Sequence, residues 1–297
     1  MIANYRLGYF GRLGNQMFQY AALVSAAKKL GVGYSFPASN CINEENHGPH
    51  LEHVRCELLD GFSLDVETLQ KYQEEIPSDM HMKHWKEPDN MGCTYLPEFL
   101  EQVEDGMNLH GYFQSEKYFE NCEDEIRKQF RFKPEVLTDL LNWRTAVEET
   151  NEKEFVSVHV RRGDYLIKSD YHTVLPNEYY QKAIDSFNPD EYNYIFISDD
   201  PAWCKETYEE QVKHAWFTDG NSQFHDMCAM TVCENNIIAN SSFSWWGSWL
   251  NAYEDKVVIA PPKSMWFGPS NKAGVDGLYC DNWKVLDMES EFVGEFK

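Results

Sequence analysis

The chain has 297 residues, 42% of them hydrophobic and 25% charged, so it belongs with globular chains long enough to bury a core without staples, and its length suits two domains. A formal net charge of −23 sets 49 acidic residues against 26 Lys and Arg; that field disfavours nucleic acid and anionic lipid as general partners and makes any basic cluster conspicuous. Cys41, Cys56, Cys93, Cys122, Cys204, Cys228, Cys233 and Cys280 include no Cys-x-x-Cys pair and no histidine at zinc-ligand spacing, so thiols in a reducing compartment are expected.

In chain order, residues 5–10 (YRLGYF) predict a short buried strand, followed by a Gly-rich turn through Gly11 and Gly14 and a helix over 16–30 that Gly31 closes. No signal-peptide pattern precedes it. No apolar run anywhere reaches the ~20 residues of a membrane helix, so a soluble cytoplasmic protein is expected, with at most peripheral membrane contact. Residues 37–107 show no clean period and predict loops and short helices, a natural place for a variable acceptor-binding region. A strand at 108–113 and helices at 116–130 and 134–149 follow.

The second half alternates more cleanly. Strands are predicted at 155–160 (FVSVHV), 194–198 (YIFIS), near 215–217, at 236–239 (NIIA) and at 256–260 (KVVIA). Helices are predicted from Pro176 to about Ser186, after Pro201, at 222–233 and at 243–252. Such alternation implies βαβ units and a parallel sheet, whose ligands bind beyond the carboxyl ends of the strands. Polar clusters fall at four of those ends: the Gly loop, the turn after 155–160, Asp199-Asp200, and Asn240-Ser241-Ser242.

The turn His159-Val160-Arg161-Arg162-Gly163-Asp164-Tyr165 is the most distinctive. An arginine fork fits phosphate oxygens, and adjacent residues on a strand point to opposite faces, so one arginine should face a ligand while the other pairs with Asp164. By itself the cluster reads as an anion site or a pair of surface salt bridges. Gly14, Asn15 and Gln16 at a helix start offer amide donors, or make only a tight turn. Asp199-Asp200 is not an Asp-x-Asp metal motif, and one of the two suits the cap of the helix at Pro201. Asp226 could accept two hydrogen bonds from a guanine edge or be a surface carboxylate. Ser241-Ser242 could bind phosphate or cap the next helix. Trp245 and Trp249, at helical spacing, read as core.

Together, the segments GRLGNQMFQYA, HVRRGDY, ISDDPAW and IIANSSFSWWGSWLN closely resemble the α-1,2-fucosyltransferase family (glycosyltransferase family 11) in its soluble bacterial form, over residues 8 to about 262. The resemblance implies a GT-B-like α/β fold of two Rossmann-like domains, expected at 1–150 and 151–297. It implies an inverting transfer of L-fucose from GDP-β-L-fucose to the 2-OH of a terminal galactose on an oligosaccharide or lipid-linked glycan, with no metal or other cofactor. It implies that Arg161 contacts the β-phosphate, that His159 and Asp226 lie on the guanine side, and that Ser241, Ser242 and Phe243 lie near the diphosphate. Gly14, Asn15 and Gln16 would face the donor, Asn15 among the catalytic candidates. Arg162, Asp164 and Asp199 would brace the turn. For the general base, Asp170 and His172 stand beside a substrate-assisted or water-mediated route. Another GDP-sugar donor or linkage, or a non-catalytic sugar-nucleotide or glycan binder, are the competing readings.

Overall fold

A computed structural model describes residues 1–9, 11–36, 56–64, 83–88, 92–149 and 151–289. The chain divides into two compact units, Met1–Lys133 with Ala273–Leu278, and Pro134–Lys272 with Tyr279–Lys297.

The first unit is built on a parallel sheet of β1 (Ile2–Ala3), β2 (Tyr34–Ser35), β3 (Lys83–Lys86) and β4 (Met107–His110), in the spatial order β2-β1-β4-β3. The strand expected at 5–10 is thus Ile2–Ala3, and residues 5–9 form turns instead. Asn4 causes the shift: its Oδ1 accepts from the Arg6 amide at 3.2 Å, a local bond that competes with the sheet ladder. The helix runs Leu13–Leu30, three residues earlier than expected, and ends as predicted at Gly31, which is left-handed at φ 66°. The predicted helix at 116–130 splits into 3₁₀ turns at Glu116–Tyr118 and Glu120–Cys122 and an α-helix at Glu123–Gln129. β3 is a strand that the sequence hides. It lies at the sheet edge with only Trp85 buried, so KHWK carries no apolar signal. Much of the expected variable region, 37–55, 65–82 and 89–91, lies outside the described residues, as does Cys41. The seven described cysteines form no disulfide with one another.

The second unit holds six parallel strands: β5 (Phe155–Val160), β6 (Asn193–Ser198), β7 (Ala215–Phe217), β8 (Asn235–Ile237), β9 (Val258–Ala260) and β10 (Lys284–Val285). Their order is β10-β9-β8-β5-β6-β7. The chain steps from β5 out to β7, then returns to the other side of β5 for β8 to β10. β5 is buried along its whole length, as a central strand covered on both faces must be. The direction of winding reverses between β5 and β8, and their carboxyl ends form a topological switch point, where such sheets open a crevice. The Pro134–Glu148 helix belongs here, with Arg144 donating to the Val232 carbonyl and pairing with Glu234, so the compact units divide at 133/134 and not at 150/151. Trp245, Trp246 and Trp249 are buried among one another.

Candidate active site

The switch point carries the basic turn. His159, the penultimate residue of β5, is 4% exposed and packs on Phe243 with ring centroids 5.2 Å apart, which joins the end of β5 to the segment after β8. Burial, and then the Arg161 charge, push its pKa down to about 3. The ring is therefore neutral at physiological pH, and its buried Nδ1 has no hydrogen-bond partner among the described residues.

The two arginines leave the strand end in different company. Arg161 pairs with Asp164 and, through Nη1, with Asp199 Oδ2 at 2.9 Å. Arg162 pairs through Nε with Asp200 at 3.0 Å and lies 3.9 Å over the Trp203 ring. The expected Arg162–Asp164 pair is corrected: Asp164 lies one turn along the short Gly163–Ile167 helix from Arg161 and braces that arginine, whereas Arg162 is turned toward β6 and the helix at Pro201. Asp199 ties the two together, its Oδ1 accepting from the Arg162 amide at 2.9 Å. A Cβ at Gly163 would meet the Asp199 carboxylate and force it to shift. Asp200 also caps its helix, accepting from the Trp203 amide at 3.3 Å. With both aspartates held by guanidinium groups, neither is set up as a metal ligand. Arg161 is held as a fork between two carboxylates.

A second layer holds this turn. The Arg161 guanidinium sits 5.2 Å from the Tyr165 ring centre, and His172 stacks on the same ring at 4.3 Å. The Tyr165 hydroxyl donates to the Asn240 carbonyl at 3.1 Å. Asn240 Nδ2 in turn donates to the carbonyls of Thr173 at 2.8 Å and Trp266 at 2.9 Å. Tyr165 and Asn240 are functional supports that sequence reasoning left without a role, although both sit inside the motifs it singled out. Burial pushes the His172 pKa down, against the pull of the Asp164 charge. Asp170 is exposed, and its backbone carbonyl accepts from the Ser270 amide at 2.8 Å.

Beyond β8, Ser241 caps the Ser242–Leu250 helix by accepting from the Phe243 amide at 3.3 Å. The cap uses the oxygen as an acceptor and leaves the hydroxyl a proton to donate, so capping and phosphate binding, posed as alternatives, are compatible. Beyond β7, Asp226 lies in the first turn of the Gln223–Thr231 helix; Thr218 and Asn221 lie close to its carboxylate, but among the described residues no donor meets the buried Oδ1 in hydrogen-bonding geometry. Burial raises the Asp226 pKa, partly offset by the side chains of Thr218 and Asn221. A buried carboxylate oxygen without a donor calls for an explanation, and an incoming ligand N–H supplies one.

In the first unit, Gly14 and Gln16 are buried within the helix. Gln16 uses its amide internally: Oε1 accepts from the Glu57 amide at 2.8 Å, which corrects its expected place at the donor. Asn15 differs. It is half-buried, its Oδ1 accepts from Gln114 Nε2, and no described residue accepts from its Nδ2. Gln114 lies just past the carboxyl end of β4, a position that the rule used for the second half of the chain would have flagged.

Residues 2–285 match the model of glycosyl transferase family 11. The chain is 33% identical to an O-antigen biosynthesis glycosyltransferase of Escherichia coli, over 92% of this chain and 97% of that one. It is 29% identical to an alpha-1,2-colitosyltransferase of Escherichia coli, over 86% of this chain and 90% of that one. It is 26% identical to a galactoside 2-alpha-L-fucosyltransferase of Bos taurus, over 81% of this chain and 62% of that one. Among solved structures, POFUT1 in complex with GDP-fucose aligns with a TM-score of 0.52 at 11% identity, over 96% of each chain, a likeness of fold. The two parallel-sheet units are those of a GT-B-like α/β fold.

Proposed function

This chain belongs to glycosyl transferase family 11 and is a glycosyltransferase; from that premise we propose that it moves L-fucose from GDP-β-L-fucose to the 2-OH of a terminal galactose of a glycan, with inversion at the anomeric carbon. The observation that carries the reading is the pairing, on one carboxyl edge, of the Arg161 fork with the buried and unpartnered Asp226 oxygen. The first suits a diphosphate, and the second suits the N1–H and N2–H₂ donors of guanine.

The chemistry follows from these groups. As the glycosidic bond to the diphosphate breaks, negative charge grows on the departing GDP. Arg161, with the Ser241 and Ser242 hydroxyls and the first amides of their helix, stabilises it without a metal. The acceptor hydroxyl must lose a proton on the opposite face of the sugar. His172 suits that task better than Asp170, because burial favours its neutral form and its ring is packed on Tyr165 beside Arg161.

The test is a transfer assay with lactose and GDP-fucose, run beside GDP-colitose and GDP-mannose, with the linkage of the product read by NMR. Calorimetry with GDP, ADP and UDP tests the base separately. Turnover confined to GDP-colitose would replace the donor sugar while leaving the site intact. The absence of any preference for GDP would overturn the guanine assignment. The colitosyltransferase relative is what makes colitose the second reading.

A further inference from the structure

Asn15 is turned by an apparatus of its own. Glu87, just past β3, is buried at 6% exposure in an otherwise aromatic surrounding. Its Oε2 accepts from the Tyr112 amide at 2.8 Å and the Phe113 amide at 3.2 Å, while Oε1 accepts from the Tyr118 hydroxyl at 3.1 Å. The chain it grips is under strain. Phe113 sits at φ 54°, a left-handed conformation unusual for a bulky side chain, and Gly111 leaves no room for a Cβ, which would lie 2.6 Å from Glu87 Cβ. A carboxylate buried to hold two backbone amides of one strained turn fixes the residue that follows. That residue is Gln114. Its Oε1 accepts from the Cys93 thiol at 2.8 Å, and its Nε2 donates to Asn15 Oδ1. The Cys93 thiol donates to the Gln114 oxygen, which leaves the Gln114 NH₂ to meet Asn15 Oδ1. The space left by the missing Cβ of Gly11, at φ 78°, receives Asn15 Nδ2.

We propose that Glu87 and Gln114 are positioning residues for the transfer step: the chain Glu87, Phe113, Gln114, Asn15 sets the Asn15 amide with its N–H group presented as a donor to a hydroxyl or ring oxygen of the reacting sugars. The inference rests on the reading that Asn15 takes part in the reaction. Neither Glu87 nor Gln114 touches substrate, and both act through Asn15.

The experiment is a mutant cycle on the full chain, measuring kcat, KM for GDP-fucose, and GDP affinity by calorimetry. Gln114→Ala is expected to lower kcat by a factor on the order of 100, the scale of a misplaced catalytic contact, with GDP affinity unchanged because the proposed base and diphosphate contacts, Asp226 and Arg161, are not among the residues of the relay. In an Asn15→Ala background the same substitution is expected to cost nothing further. Glu87→Gln keeps an acceptor for the two amides and can turn its NH₂ toward Tyr118, so it is expected to stay within a few-fold of wild type, whereas Glu87→Ala is expected to fall as Gln114→Ala does. Should Glu87→Ala not fold, the Gln114 cycle decides alone. Additive losses from Gln114→Ala and Asn15→Ala, or a Gln114→Ala loss confined to GDP affinity, would overturn the relay. Wild-type activity in Asn15→Ala would instead overturn the reading beneath it.

Discussion

Arg161 and Arg162 are neighbours in sequence and differ in every contact. Arg161 has two carboxylates and the Tyr165 ring, and Arg162 has one carboxylate and the Trp203 ring. Arg161→Ala is expected to lower kcat/KM by a factor on the order of 100 to 1,000, about 3–4 kcal/mol of lost charge stabilisation, and also to lower stability, since Asp164 and Asp199 lose their partner. Arg162→Ala should lose about 1–2 kcal/mol of stability with turnover largely kept. Steady-state kinetics beside thermal melts check both. Asp226→Asn keeps one acceptor and turns a donor toward guanine, so its GDP affinity should drop at least tenfold by calorimetry. His159 gives a pH prediction. Its folded pKa, about 3, lies below its unfolded value, so the unfolded chain takes up the proton first. Stability from this group is complete above about pH 6.5 and falls as pH drops toward 3, by up to about 1.4 kcal/mol per pH unit. Denaturant titrations between pH 7 and 5 should show a shallower slope in His159→Gln than in wild type. The residue types at this turn were legible in the sequence. Their pairing was not, since alternation along a strand stops at its last residue and the aspartates of β6 decide what each arginine meets.

At the scale of elements, the close approach of the Gly163–Ile167 helix to the end of β6 is what lets Asp199 serve both arginines. Gly163→Ala puts a methyl into the Asp199 carboxylate. The variant is expected to lose about 1–3 kcal/mol of stability by overpacking and to lower kcat/KM about tenfold as Asp199 gives way. Melting curves and donor saturation curves measure the two effects. A variant with full activity would mean that Asp199 does not set Arg161. The elements of the second half were legible because apolar strands alternate there with capped helices, and Pro201 stands at a helix start as expected. The first half was harder to read. Asn4 ends β1 through a side-chain bond, and β3 is an edge strand with a polar sequence. In both cases a local apolar count is the wrong measure, because a turn bond or an edge position overrides it.

For the whole molecule, 49 acidic residues leave few positive groups to meet a diphosphate, and the second unit concentrates two of them at its switch point. The described residues include no cluster of three or more His, Cys, Asp or Glu suited to a metal, and no helix long and apolar enough to cross a membrane. The clamp proposed for GDP is made of Arg161 and helix amides, and on that proposal turnover is expected to continue unchanged in excess EDTA. A loss of activity restored by Mg²⁺ or Mn²⁺ would replace that clamp with a metal.

Returning to His159–Tyr165, the sequence by itself determined a parallel α/β chain with a basic turn at a strand end, because strand period, helix caps and residue identities are local properties. Only the tertiary structure decided that Asp164 and Asp199 hold Arg161, that Asp200 and Trp203 hold Arg162, and that Gln114 meets Asn15. Those partners lie on different elements, and only the strand order brings them together.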